Sequence, residues 1–118
     1  MVFFVAGVFT YRPIAIVSNS MVPSFQRGDM VVIEKIKKYG VDNLKVGDIV
    51  AFKSNKQIIV HRIIEKNEKD KNDIKYITKG DNNNAEDPMI KQDQIIGVVK
   101  FKIWYVVYPS VLLNELLN

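Results

Sequence analysis

Through the middle of the chain, short runs of Val, Ile, Phe and Tyr alternate with polar segments rich in turn-forming residues. The runs 30–36, 48–53, 57–65, 74–78 and 95–104 have the length and the β-branched and aromatic content of strands. Arg27-Gly28-Asp29 and Val46-Gly47-Asp48 stand ahead of two of them, so both glycines are predicted to supply tight turns into strands. Residues 66–73, Lys-Asn-Glu-Lys-Asp-Lys-Asn-Asp, are wholly polar and predict a solvated hairpin loop. Helix has little room beyond the start of the chain, residues 110–117 and a short turn near 41–44. Strands joined by short polar loops, with few helices to cover a parallel sheet, predict a mostly β fold. Its antiparallel sheets form a barrel-like body, with little helix at the termini.

The two ends break this pattern. Residues 2–9 read Val-Phe-Phe-Val-Ala-Gly-Val-Phe, and the apolar character resumes at 14–17. The first stretch is too short to span about 30 Å of hydrocarbon, which needs roughly 20 residues. It also lacks the basic leader and small-residue cleavage site of a signal peptide. A buried core strand and the outer end of a membrane helix both fit; the mixture preferred is a helix remnant at 2–9 and a strand at 14–18. At the other end, 101–117 gathers Trp104, Tyr105 and Tyr108 ahead of Val111, Leu112, Leu113, Leu116 and Leu117. That grouping suits a membrane interface, and equally a last core strand followed by a docked helix. The resulting division is a remnant of a membrane segment at 1–13, a β domain at 14–103 and a membrane-proximal segment at 104–118.

Composition narrows the chemistry. A chain of 118 residues fits one domain with one core, and 47% hydrophobic with 25% charged residues is ordinary for a globular fold. The absence of cysteine removes disulfides, thiolate metal sites and cysteine nucleophiles. The net charge of +4 is spread along the chain rather than gathered in a block, which gives nucleic-acid binding little support. A slight basic excess also suits a surface beside anionic lipid headgroups.

Three places offer reactive groups. Ser18-Asn19-Ser20-Met21-Val22-Pro23 follows an apolar strand, so that Ser20 stands on a rigid edge ahead of a proline-stiffened segment; serines in turns, however, usually bond their own backbone. His61 is the single histidine and lies within Ile58-Ile59-Val60-His61-Arg62-Ile63-Ile64. Strand parity puts it on the face of Ile59 and Ile63, with Val60 and Arg62 opposite. A ring buried there needs a polar partner, whether its role is structural or that of a general base. Residues 79–88, Lys-Gly-Asp-Asn-Asn-Asn-Ala-Glu-Asp-Pro, form a loop dense in carboxylates and amides. Asp81, Asn83 and Asp87 look like the start of a calcium loop, but Glu86 stands where glycine belongs and Gln92 where a bidentate glutamate belongs. An Asx-rich turn explains the segment as well. Hydroxyl, imidazole and carboxylate together are the inventory of a Ser-His-Asp hydrolase.

The string SNSMVPSFQRGDMVVI at 18–33 resembles the nucleophile box of type I signal peptidases. VGDIVAF at 46–52 resembles the family's next box, IVHRII at 59–64 the histidine-type general-base box, and KGDNNNAEDP at 79–88 the acidic box. The histidine form belongs to the endoplasmic-reticulum, archaeal and some Gram-positive members. The resemblance implies a membrane-bound serine endopeptidase that removes signal peptides from exported preproteins after small residues, with its catalytic domain on the extracytoplasmic face of the cell membrane. Ser20 matches the nucleophile, His61 the base, Asp87 the residue that orients it and Asp81 a second required acid. The Ser18 hydroxyl and the Ser20 N–H match the oxyanion hole, and Ile14, Ile16, Met21, Val31, Ala51 and Val60 the substrate pockets. Asn19 stands where the family usually has glycine, and asparagine tolerates positive φ nearly as well. The partners implied are signal peptides and the lipid surface, without nucleic acid or cofactor. Two rivals remain: a repressor-type self-cleaving peptidase with Lys53 or Lys56 as base, and a catalytically inactive β-barrel interaction module at the membrane.

Overall fold

An isolated strand leaves its backbone groups unpaired, so each apolar run has to find another. In the computed structural model, which describes residues 10–103, the strands are β1 (Tyr11–Ala15), β2 (Met30–Lys35), β3 (Ile49–Ser54), β4 (Gln57–Asn67), β5 (Lys75–Lys79), β6 (Ile90–Lys91) and β7 (Ile95–Ile103). They form one sheet in the order β1-β2-β7-β3-β4-β5-β6, and every neighbouring pair is antiparallel. The mostly β, antiparallel expectation holds. The barrel does not close, because its edges are β1 and the two-residue β6 and these do not pair.

Both faces of the sheet are apolar. Val50, Phe52, Ile63, Tyr76, Ile95 and Val98 belong to one cluster; Ile16, Met21, Phe25, Val31, Ile33, Ala51 and Val60 belong to the other. Adjacent residues of β3 divide between them as the two-residue strand repeat requires, Val50 and Phe52 to the first and Ala51 to the second. This double burial is why the central runs read as nearly continuous apolar stretches rather than clean alternations. The first cluster is covered by Leu44 and by the connection from β2 to β3, where α1 (Ile36–Tyr39) and a 3₁₀ turn (Val41–Asn43) pack Ile36, Tyr39 and Val41 against it. The Tyr39 hydroxyl donates to Asp48 Oδ2 at 2.9 Å, tying this cover to the start of β3.

Most strands fall within two residues of their expected bounds, and the turn near 41–44 is the 3₁₀ segment. Gly28 and Gly47 have φ of 99° and 100°, as turns into strands demand. β1 starts at Tyr11 and ends at Ala15, earlier than the strand expected at 14–18. Pairing with β2 sets these limits, Tyr11 facing Glu34 and Ala15 facing Met30. Pro13 is tolerated because β1 is an edge strand. The polar run at 66–73 is less solvated than its composition implies, since β4 continues to Asn67 and Lys66 Nζ donates to the Leu44 carbonyl at 2.8 Å. The expectations for 1–9 and 104–118 lie outside the described residues. Among the described residues no helix is long and apolar enough to cross a membrane.

The β3–β4 hairpin turns on Asn55 and Lys56, whose φ values are 49° and 67°. Two consecutive left-handed residues match the twist of a two-residue hairpin, and asparagine accepts that conformation more readily than lysine. Lys56→Gly is expected to raise stability by about 0.5–1 kcal/mol, the relief of the Cβ clash exceeding the added chain entropy. The check is a higher urea midpoint with an unchanged m-value.

Candidate active site

The loop between β1 and β2 is closed at its base. Ile16 N–H donates to the Asp29 carbonyl at 2.8 Å, and Gly28 N–H donates to the Ile16 carbonyl at 2.9 Å. Met21 and Phe25, 1% and 7% exposed, anchor the loop in the second cluster and leave Ser20 at the surface beside them. Within the loop, Asp29 Oδ2 accepts from Gln26 N–H at 3.1 Å and Asn19 Oδ1 accepts from Arg27 N–H at 2.9 Å. The expected positive φ at Asn19 is absent; among the described non-glycine residues only Asn55 and Lys56 have one. Asn19 instead uses its side chain to cross-link the loop.

The acidic loop after β5 grips this segment from the other side. Asn82 N–H donates to the Ser20 carbonyl at 2.8 Å, and Asn82 Nδ2 donates to the Asn19 carbonyl at 3.2 Å. A Cβ at Gly80 would lie 2.6 Å from the Ser20 carbonyl oxygen, a backbone atom that cannot swing aside. Only glycine permits this approach.

The approach brings the predicted reactive groups together. Ser20 Oγ lies 3.0 Å from His61 Nε2, and His61 Nδ1 lies 2.5 Å from Asp87 Oδ2. His61 is 7% exposed and sits beside Phe52, on the face that strand parity assigned it. Its buried ring thus has a polar partner on each nitrogen. Asp87 is held in turn by Thr78, whose hydroxyl donates to Asp87 Oδ2 at 2.7 Å and whose carbonyl accepts from Asp87 N–H at 2.8 Å. Ser18 Oγ lies 3.1 Å from Ser20 Oγ and 3.4 Å from Ser20 N.

Asp81 does not touch His61. Its two carboxylate oxygens take Arg62 Nε and Nη2, both at 2.9 Å, and Oδ2 also accepts from the Ser24 hydroxyl at 2.7 Å. The neighbours His61 and Arg62 point to opposite faces and recruit different carboxylates, Asp87 on the ring and Asp81 on the guanidinium, where Asp81 also takes the Ser24 hydroxyl. With Asp81 and Asp87 committed to separate partners, no calcium-loop geometry forms, and among the described residues no group of three carboxylates or histidines converges.

A groove of about 300 Å³ runs along Ser20 and His61, walled by Ala15–Ser18, Met21, 57–61 and Asn83. Of the six residues matched to substrate pockets, Ile16, Met21 and Val60 line it. Val31 and Ala51 are fully buried behind them in the same cluster, and Ile14 packs against that cluster from β1. Sequence reasoning assigned no role to Ser24 or Asn82, whose partners Asp81 and Asn19 lie 57 and 63 residues away along the chain, or to Thr78, and it read Gly80 only as a turn residue and Arg62 only as facing away from His61. An extended peptide was expected to pair with exposed strand edges on either side of Ser20, and one such edge is β4, which pairs with β3 over Gln57–Arg62 but with β5 only from Arg62 onward. The main chain of 57–61 therefore faces the groove without a second strand.

A family model described as "Signal peptidase, peptidase S26" matches residues 1–79. The chain belongs to this family. Over 112 residues it is 33% identical to the signal peptidase complex catalytic subunit SEC11C of Homo sapiens, a match covering 86% of this chain and 57% of the relative. It is 35% identical over 118 residues to the signal peptidase complex catalytic subunit SEC11 of Zygosaccharomyces rouxii, covering 90% of this chain and 68% of the relative. The chain thus spans 57% of the length of the mammalian relatives it matches. In this signal peptidase family member the match to the family model ends at Lys79, so the loop that holds Asp81 and Asp87 lies beyond it.

The Arg62 guanidinium, by direct hydrogen bonding, holds the Asp81 carboxyl below the usual carboxylate range, with Ser24 adding to the effect against the opposing cost of burial. The same pairing raises Arg62. A carboxyl lowered in the folded state stabilises the fold above its unfolded pKa of about 4, and that stability is lost as pH falls through the lowered native value. Asp81→Asn is expected to cost about 1–2 kcal/mol at pH 7, a moderate figure because Arg62 is partly exposed to solvent. The gap between the two chains should close as pH falls through the lowered native value of Asp81. Urea unfolding of both at neutral and acid pH measures it.

Proposed function

We propose that this chain carries the catalytic centre of a signal peptidase, a serine endopeptidase that removes N-terminal signal peptides from exported preproteins. The observation that carries the reading is the continuous line from Ser20 Oγ through the His61 ring to Asp87, with steps of 3.0 and 2.5 Å. A serine hydroxyl is a weak nucleophile until a base removes its proton, and His61 Nε2 stands at hydrogen-bond distance to do so. Asp87 keeps the other ring proton on Nδ1 and stabilises the imidazolium that forms. Attack on the scissile carbonyl places negative charge where the Ser20 N–H and the Ser18 hydroxyl can donate. Their own contact is 3.4 Å, long for a hydrogen bond, and the substrate oxygen replaces it. A donor so aimed contributes about 3 kcal/mol. His61 then protonates the leaving amine, and water, activated by the same ring, frees the acyl-enzyme.

The free backbone edge at 57–61 and the segment 15–18 face the groove and suit an extended peptide laid between them as an added strand. Alternate side chains of that peptide would point at Ile16, Met21 and Val60, with Val31 and Ala51 filling the space behind. This supports small residues one and three positions before the cut. Asp81 is a positioning residue for the serine loop, through Ser24 and Arg62. The relatives' names make them catalytic subunits of a complex, and the proposal extends to this chain that it acts with partners, at the membrane and on the extracytoplasmic side, where signal peptides are presented.

The deciding experiment offers the full-length protein, in detergent or lipid, a model preprotein with alanine at both small positions. A single cut after the second alanine, lost when either alanine becomes phenylalanine, is the expected result. Equal cleavage of the phenylalanine substrates would sink the specificity, and no cleavage of any would sink the activity.

A further inference from the structure

Thr78 is fully buried within β5, opposite the buried Ile63 of β4. A hydroxyl in such a place is unfavourable unless it is bonded, and valine would fill the same volume without that demand. The Thr78 hydroxyl donates to Asp87 Oδ2 at 2.7 Å, onto the same oxygen that receives His61 Nδ1 at 2.5 Å. The backbone repeats the attachment, Asp87 N–H donating to the Thr78 carbonyl at 2.8 Å. The Asp87 side chain is 21% exposed, so water reaches the carboxylate from outside while Thr78 grips it from the core side.

From this we infer that Thr78 is a positioning residue for the reaction, acting through Asp87; the inference rests on the proposed Ser20–His61–Asp87 chemistry. With two donors on one oxygen, the carboxylate plane is set and Oδ2 faces Nδ1. The ring proton then stays on Nδ1, and the Nε2 lone pair faces Ser20. Without the hydroxyl the carboxylate can rotate about its last torsion, a broad and soft one, and exchange its oxygens or turn toward solvent. A backbone bond alone does not prevent this, because it holds the main chain of Asp87 and not its carboxylate.

The test compares Thr78→Val, Thr78→Ser and Ser20→Ala in the full-length protein, on a preprotein with alanine at both small positions. Thr78→Val is expected to lower kcat by about 10- to 100-fold with KM nearly unchanged, while Thr78→Ser, which keeps the donor, stays within about threefold of the parent. A purely packing role would give the opposite order, since serine leaves a methyl-sized void and valine leaves none. Full kcat in Thr78→Val, or an equal loss in Thr78→Ser, would overturn the inference. Should the valine chain fail to fold, Thr78→Ala set against Thr78→Ser isolates the hydroxyl, and equal kcat in those two overturns it likewise. Cleavage persisting in Ser20→Ala overturns the proposed function itself, whereas Ser20→Ala inactive beside a fully active Thr78→Val overturns the role of Thr78 alone.

Discussion

Ser20→Ala and His61→Ala are each expected to reduce kcat by about 10⁵- to 10⁶-fold, and the double replacement to reduce it no further. The two residues act as one unit, because the hydroxyl gains nucleophilicity only by surrendering its proton and the ring at 3.0 Å is the group placed to accept it. Removing either leaves the groove and the oxyanion donors intact, so KM should change little. Steady-state kinetics on a model preprotein, with folding checked by circular dichroism, measures all three variants. The histidine replacement also separates the reading from a serine-lysine mechanism. Lys53 and Lys56 belong to the β3–β4 hairpin and are exposed, and no hydrogen bond from either to Ser20 is present among the described residues. Activity surviving in His61→Ala with every lysine in place would transfer the base to one of them.

The second large effect concerns Asp87. Asp87→Asn is expected to lower kcat by about 10⁴-fold while the chain remains folded. The carboxylate accepts from both His61 Nδ1 and the Thr78 hydroxyl, and an amide can satisfy only part of that demand. If its NH₂ faces Nδ1, the ring proton moves to Nε2 and points at Ser20, so the base becomes a donor. If its oxygen faces Nδ1, the tautomer survives but the charge opposing the imidazolium is gone. A loss below tenfold would show that the carboxylate neither orients the ring nor stabilises its charge. Asp81→Asn should act differently, through stability and the seating of Ser24, since its partners are Arg62 and Ser24 rather than His61.

Much of the fold was legible from local composition. Val, Ile and Phe runs bounded by Gly-Asp turns gave the main strands because strand propensity and turn chemistry act over a few residues. Parity within 58–64 placed His61 and Arg62 on opposite sides for the same reason. β6 left no trace, since two residues carry no period, and α1 was absorbed into the strand before it because Ile36 is apolar in either state. Asn19 was read from its position as a stand-in for glycine's conformation, yet its side chain is what the loop uses.

By itself the sequence determined which segments form strands, which side chains are available for chemistry and, through the resemblance of four boxes, what reaction they suit. Tertiary structure alone decided that the sheet stays open, that Asp87 and Asp81 take different partners, and that the bare edge beside Ser20 is the one at 57–61 of β4. The pairings of β7 with β2 and β3 and the approach of Gly80 to Ser20 depend on residues tens of positions apart. Contacts at that range are selected by how whole faces pack, which no local window of residues contains.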